Sequence, residues 1–171
     1  MELIKEIKQS KILRNVLIAL MSTVLLAISS KIKIPFYPVP MTMQTLVVLF
    51  LGIALGWKLG VVTVTLYLFE GIIGLPVFSG TPEKGIGIVY FTGPTMGYLI
   101  GFIFTVYFAG SFNFSKNLFI KFLQFSFSVS FIYILGILWL GTLIGWEKPL
   151  FQLGVQPFLL AELFKILIVL I

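Results

Sequence analysis

The sequence predicts an all-α integral membrane protein with six transmembrane helices and with both termini in the cytoplasm. Two observations predict this fold class. Hydrophobic residues make up 59% of the chain and charged residues only 11%, with a mean hydropathy of +1.12, whereas a soluble domain carries about a quarter charged residues. Uncharged runs of roughly 20 residues, long enough to span a bilayer, also recur. They are 15–30, 34–57, 85–115 and 122–146.

The first helix is predicted over about residues 12–30. The lead before it, 1–11, combines isoleucines and lysines at helical spacing, which fits either a helix at the membrane interface or a solvated basic flank. Ala19, Thr23 and Ala27 recur every four residues, and small residues at this spacing allow another helix to approach closely. This face serves either internal packing or docking to a separate membrane partner.

A proline-rich stretch, IPFYPVP, dominates the first outer loop, 31–40. Proline fixes φ and removes a backbone donor, so no helix begins before Pro40. The next two helices are predicted over 41–56 and 60–74, joined by the link Trp57-Lys58-Leu59. Both are short for a bilayer about 30 Å thick.

Polar side chains follow the prolines directly. Thr42, Gln44 and Thr45 place hydrogen-bonding groups at the start of the second helix, near the membrane surface. A rigid proline-rich segment, followed by polar side chains at the start of an apolar helix, predicts the rim of a binding site there.

The remaining helices are predicted over 93–109, 118–141 and 157–171. The outer loop 75–92 is long enough to fold over an opening as a lid, and a third outer loop covers 142–156. The helix over 93–109 carries glycines at positions 93, 97 and 101, on one face, and we expect another backbone to pack closely against them.

The basic residues predict the orientation of this single membrane domain, 1–171. With both termini inside, seven basic residues are cytoplasmic and four are outside. The inner set is Lys5, Lys8, Lys11, Arg14, Lys58, Lys116 and Lys121, and the outer set is Lys31, Lys33, Lys84 and Lys148. The positive-inside rule therefore predicts that both termini are cytoplasmic. We expect the protein to lie in the plasma membrane. Because these residues flank apolar runs, the net charge of +6 indicates membrane orientation and not nucleic-acid binding.

The composition excludes several kinds of chemistry. The chain has no histidine, cysteine or aspartate, which removes disulfides, thiolate or imidazole metal sites and nucleophiles activated by histidine. Gly80 and Gly85 have the spacing of a phosphate loop, but Ile86 occupies the lysine position. We therefore expect no enzyme activity, catalytic residue, metal or cofactor.

Three of the charged residues inside predicted helices, Glu70, Glu162 and Lys165, are candidates for function. Glu162 and Lys165 are three residues apart and share one helical face, where opposite charges partly offset the cost of burial. They form either a structural ion pair or the polar end of an apolar ligand pocket. Glu70 is a functional candidate because of its depth, unless it is near enough to the helix end to reach water.

Five motifs occur in a fixed order from about residue 12 to the end of the chain. They are IPFYPVPMTMQTL, GIALGWKLG, GLPVF, GPTMGYLIGF and PFLLAELFK. Together they resemble the BioY family, the biotin-specific S components of energy-coupling-factor (ECF) transporters. The resemblance implies a six-helix protein that captures biotin from outside. It also implies that ATP is used by separate chains, namely two ABC ATPases acting with a transmembrane scaffold subunit.

The resemblance also implies roles for particular residues. Glu162 stands where the family more usually has aspartate, and with Lys165 it would meet the polar groups of biotin. A loop contact is expected near Ser79, although TPEKG departs from the family's glycine-rich loop. Ala19 and Thr23, with Ala27, would contact the scaffold, where the family commonly has an alanine pair. The rest of the ligand would be enclosed by Tyr37, Gln44, Phe78, Phe91 and Tyr98.

Three alternatives remain open from the sequence. The chain could be a stand-alone oligomeric biotin carrier that moves its ligand without ATP. It could be an S component for a different vitamin. It could also be a structural membrane subunit without a ligand, in which Glu162 and Lys165 form only an internal salt bridge.

Overall fold

Helices dominate the residues that the computed structural model describes, which are 2–114 and 116–170, with side chains from residue 10 onward. The elements are α1 (Glu2–Lys31), β1 (Lys33–Ile34), β2 (Met41–Thr42), α2 (Gln44–Ile72), α3 (Gly87–Phe91), α4 (Met96–Ser111), α5 (Leu118–Ile144), α6 (Leu150–Gly154), a 3-10 turn (Gln156–Phe158) and α7 (Leu159–Leu170).

Several of these helices are long enough to cross a bilayer. Within the described residues, four helical stretches combine sufficient length with high hydropathy, while α4 is shorter. The four are Ser10–Lys31, Gln44–Ile72, Leu118–Ile144 and Leu150–Leu170. The protein is therefore a helical membrane protein by length and composition.

The first helix begins earlier than the sequence predicts. α1 is continuous from Glu2 to Lys31, because neither proline nor glycine interrupts this stretch. The described part of the segment before residue 12 is therefore the start of α1 and not a separate element. The side chains of residues 2–9, including the lysines at positions 5 and 8, lie outside the described residues.

The second helix, α2, reverses direction at Gly56, whose backbone is non-helical (φ 71°, ψ 167°). The amide Nε2 of Gln44 donates to the hydroxyl of Tyr67 at 2.7 Å, although the two residues are 23 positions apart in the sequence. In a straight helix that separation would place them about 34 Å apart. The halves 44–55 and 57–72 therefore pack antiparallel. The predicted three-residue link at 57–59 is replaced by a turn at one glycine.

Glycines also set how closely α4 packs. A Cβ at Gly97 or Gly101 would overlap the backbone of α5 at Leu135 and Ile132. A Cβ at Gly52 of α2 would lie 2.8 Å from the Cβ of Ala109. The close backbone packing expected at positions 97 and 101 is present, and α4 lies between α2 and α5.

The predicted outer loops contain more structure than expected. The proline stretch forms a hairpin in which β1 pairs antiparallel with β2, so α2 begins at Gln44 and not at 41. The loop 75–92 contains α3, and α4 begins at Met96. α5 continues to Ile144, beyond the predicted end at 141, and stops before Gly145, whose φ is +97°.

The hairpin, the segment 73–95 and the segment 145–158 lie at the same end of the bundle. Lys33 of the hairpin bonds to Ser79, and Phe36 contacts Phe158 with ring centroids 6.1 Å apart. Tyr98 bonds to Gly154. We call this end the loop end.

Gly56→Ala is expected to destabilise the protein by about 1–3 kcal/mol, because the conformation at Gly56 is essentially restricted to glycine. A Cβ there meets nothing within 4 Å, so the loss would come from backbone strain and not from a clash. Thermal unfolding of the purified protein in detergent measures it. Ala54→Ser, on the exposed face of the same helix, is the control. Equal midpoints for both variants would contradict the turn at Gly56.

Candidate ligand-binding site

A cavity lies inside the loop end of the bundle, between α2, α4, α5 and α7. It contains about 510 Å³ of space not filled by protein atoms, its open mouth included. Its lining residues are Val39, Pro40, Thr42, Gln44, Thr45, Phe78, Ser79, Tyr90, Thr95, Tyr98, Leu99, Phe102, Ile132, Tyr133, Phe158, Glu162 and Lys165. Most of this surface is apolar or aromatic, with polar groups concentrated on α7 and at the start of α2.

The ion pair of α7 forms the polar end of the cavity. Lys165 Nζ lies 2.6 Å from Glu162 Oε1, and both residues are almost fully buried, at 6% and 5% exposure. Lys165 Nζ also donates to the carbonyl of Thr42 at 2.7 Å and to Thr45 Oγ1 at 2.6 Å. Thr45 Oγ1 in turn donates to Glu162 Oε1 at 2.8 Å. The three N–H donors of the lysine therefore all have acceptors.

Two buried oxygen atoms that belong to lining residues are left without a hydrogen-bond partner among the described residues. They are Glu162 Oε2 and Ser79 Oγ. Tyr133 lines the same cavity, and its hydroxyl lies close enough to the Glu162 carboxylate to be a further donor to it. Because an unsatisfied buried polar atom is costly, these two oxygens are the available contact points for a polar ligand.

Phe78 forms an aromatic wall of the cavity. Its ring is stacked on Tyr90 at 5.4 Å and meets Tyr67 edge-on at 5.5 Å. A Cβ at Gly71 would overlap the Phe78 ring, so the glycine on α2 makes room for it. The hydroxyl of Tyr98 donates to the carbonyl of Gly154 at 3.0 Å, which fixes a second aromatic ring in the lining.

Gln44 is held by a chain of hydrogen bonds. Its Nε2 donates to the Tyr67 hydroxyl at 2.7 Å, and that hydroxyl donates to the carbonyl of Val77 at 3.0 Å. The start of α2 is thereby connected to the segment that carries Phe78. The rim expected from the sequence is a fixed part of the cavity wall.

The structure brings together six of the eight residues that the sequence suggested for ligand contact. They are Gln44, Phe78, Ser79, Tyr98, Glu162 and Lys165. Tyr37 is one of the two exceptions: it lies on the hairpin at 86% exposure and does not line the cavity, because the turn between β1 and β2 carries it away. Phe91 also stays outside the lining and packs on Phe78 at 6.1 Å.

Sequence reasoning missed several lining residues. Tyr133 and Ile132 come from α5, and Phe158 comes from the 3-10 turn. The one available signal was Tyr133, a tyrosine inside the long uncharged run of α5. A run that is apolar on all sides does not reveal which of its faces points inward.

The small-residue face of α1 is packed within the chain. Ala19 and Thr23 are 4% and 2% exposed, and Thr23 Oγ1 lies 3.0 Å from Glu70 Oε1. This burial favours internal packing for these two residues. Ala27 is only partly buried, and it lines an open apolar groove together with Thr23 and Glu70.

A helical membrane bundle with a mostly apolar cavity and a few placed polar groups has the features of a protein that captures a small molecule. The chain belongs to the BioY family, whose family model matches residues 4–171. This is a family of transporters and not of enzymes.

Individual relatives agree with this assignment. A probable biotin transporter BioY from Pyrococcus horikoshii is 34% identical over 82% of each chain. The biotin transporter BioY from Thermotoga maritima is 32% identical over 91% of each chain. A crystal structure of the S component for biotin from an ECF-type ABC transporter superposes with a TM-score of 0.77 at 26% identity, covering 94% of this chain and 89% of that chain.

Lys165→Met is expected to lower the free energy of unfolding by about 3 kcal/mol, because it leaves Glu162 buried without its counter-charge. Thermal unfolding in detergent measures the loss. The double variant Glu162→Gln/Lys165→Met should recover much of it, since no isolated charge remains. Lys116→Met, at an exposed lysine, is the control for charge removal. A double variant less stable than Lys165→Met would contradict this account of the pair.

Proposed function

We propose that the chain binds biotin in the cavity at the loop end and serves as the substrate-binding S component of an ECF-type transporter. The observation that carries the proposal is the buried pair Glu162–Lys165 at the polar end of an aromatic cavity, in which Glu162 Oε2 has no hydrogen-bond partner among the described residues. The named activity of the relatives and the superposed biotin S component supply the ligand class.

The chemistry of biotin complements this cavity. Its ureido ring offers two N–H donors and one carbonyl, and its thioether ring and tail are apolar and end in a carboxylate. In the proposed complex Glu162 Oε2 accepts from an N–H group. Lys165 donates to an oxygen of the ligand by exchanging one of its bonds to Thr42 or Thr45.

The remaining proposed contacts come from the walls. Ser79 Oγ would supply a hydroxyl that has no hydrogen-bond partner within the described part of the chain. Phe78 and Tyr98 would cover the apolar rings, and Gln44 would border the polar end. Tyr37 has no place in this set because of its exposure.

We further propose six membrane crossings with both termini in the cytoplasm, in the plasma membrane. Counting the two antiparallel halves of α2 separately, with α1, α4, α5 and α7, gives six helical segments. An even number of crossings puts both ends on one side, and the basic residues favour the cytoplasm. The loop end, with its cavity, then faces outward.

Energy for transport would come from other chains. We propose a transmembrane scaffold subunit and two ABC ATPases as partners, since the sequence carries no phosphate loop. Of the α1 face that carries Ala19, Thr23 and Ala27, docking is proposed at the part around Ala27, which lines an open groove, since Ala19 and Thr23 are buried within the chain.

Biotin binding by the purified protein, measured by calorimetry, tests the ligand and the site. Glu162→Gln and Ser79→Ala should weaken binding, the first by about ten- to a hundredfold, because a charge-assisted hydrogen bond contributes about 1.5–3 kcal/mol. Tyr37→Ala is the control and should bind as the wild type does. No biotin binding by a folded wild type would refute the ligand and lead to a panel of other vitamins. Tight binding by every variant would move the site elsewhere.

Biotin uptake by cells tests the partners. Ala27→Trp should reduce uptake at least severalfold while leaving biotin binding unchanged, because an indole would fill the proposed docking groove. Leu25→Trp is the control, since residue 25 lies about 200° around the helix from residue 27 and is exposed. Uptake that persists undiminished after deletion of the ATPase genes would instead favour a stand-alone carrier.

A further inference from the structure

The C-terminal end of α1, together with strand β1 directly after it, makes a cluster of polar contacts to one segment of the cavity wall, residues 77–81. Lys31 Nζ donates to the carbonyl oxygens of Phe78 at 2.8 Å and Thr81 at 2.9 Å, and it lies 3.2 Å from Thr81 Oγ1. Lys33 Nζ donates to the carbonyl of Ser79 at 2.6 Å. Two lysines that follow closely in sequence thus bind three carbonyl groups of one irregular backbone segment.

The chemistry of these contacts suits lysine. The segment 77–81 is not part of a helix or strand, so its carbonyl groups lack the regular partners that secondary structure provides. An ammonium group has three donors and no acceptor, and the three acceptors around Lys31 match that number. Ser30 adds a neutral contact, with its Oγ 2.7 Å from the carbonyl of Val77.

The same segment supplies the cavity with Phe78 and Ser79. On its inner side it is held by Tyr67, which bonds to the carbonyl of Val77, and by Tyr90, whose hydroxyl accepts from the Gly80 N–H at 3.0 Å. Lys31 and Lys33 hold its outer side and do not themselves line the cavity. The two lysines therefore affect a bound ligand only through the segment 77–81 and do not touch the ligand themselves.

We propose that Lys31 and Lys33 are positioning residues that keep the segment 77–81 closed against the cavity and so slow the release of its ligand. Both lysines are exposed overall, so their bonds compete with water and are weaker than those of the buried pair. A closure of that strength can open without unfolding the helices. The end of α1 thereby controls how freely one wall of the cavity moves.

The rate at which biotin dissociates from the protein tests this role. The test rests on the proposed function only because biotin is the ligand that is used. Lys31→Met/Lys33→Met should release labelled biotin about tenfold faster than the wild type, with an unfolding midpoint close to the wild-type value. Lys31→Arg/Lys33→Arg should stay within about threefold of the wild-type rate, since guanidinium groups also donate to carbonyl oxygens. Lys148→Met removes a charge from an exposed lysine elsewhere at the loop end and is the control.

Hydrogen exchange of the ligand-free protein separates failure of this inference from failure of the biotin assignment. Backbone amides of residues 77–85 should exchange at least severalfold faster in Lys31→Met/Lys33→Met, while those of α5 should not change. Faster exchange without biotin binding would keep the positioning role and refute the ligand. Wild-type exchange together with wild-type release would overturn the inference. Loss of thermal stability with unchanged rates would show a role in folding only, and would also overturn it.

Discussion

In a bilayer, water is not available to a buried charge, so Glu162 and Lys165 must find their hydrogen bonds inside the protein. The acceptors for Lys165 come from Thr42 and Thr45, more than a hundred residues earlier in the chain. This requirement fixes α7 against the start of α2 and against strand β2, which carries the Thr42 carbonyl. The proline hairpin is therefore held to α7 by a charge, and the cavity forms where the two meet.

The rest of the cavity follows from how tightly the helices pack around that junction. Gly56 turns α2 back on itself, so that Tyr67 meets Gln44. Gly71 leaves room for the ring of Phe78. The lining is thus organised before any ligand arrives, and neither Glu162 Oε2 nor Ser79 Oγ has a hydrogen-bond partner among the residues that the structure describes. Preorganisation of this kind lowers the cost of ordering side chains on binding.

α1 lies at the edge of the bundle and packs chiefly against α2. Much of its surface is apolar and exposed, as expected for contact with lipid or with another membrane protein. Its polar contacts to Glu70, Val77, Phe78 and Thr81 nevertheless reach one wall of the cavity. A partner that docked on α1 would therefore lie close to the groups that hold this wall in place.

The features that sequence alone determined are local ones. Long uncharged runs identified a helical membrane protein, because a bilayer imposes a minimum length of apolar helix. The spacing of Glu162 and Lys165 placed both on one helical face, and the prolines before Thr42 and Gln44 marked the rim of the cavity. Each of these inferences depends on residues within a few turns of one another, where helical geometry is known in advance.

Only the tertiary structure decided which distant groups meet. The reversal at Gly56 depends on one backbone conformation that the surrounding apolar pattern does not reveal. Tyr37 points away from the cavity and Tyr133 lines it, although both are tyrosines near apolar residues. Ala19 and Thr23 are buried within the chain and not free on its surface. In each case the outcome depends on packing between helices that are far apart in sequence. The sequence of a helix that is apolar on every face does not indicate which other helices pack against it.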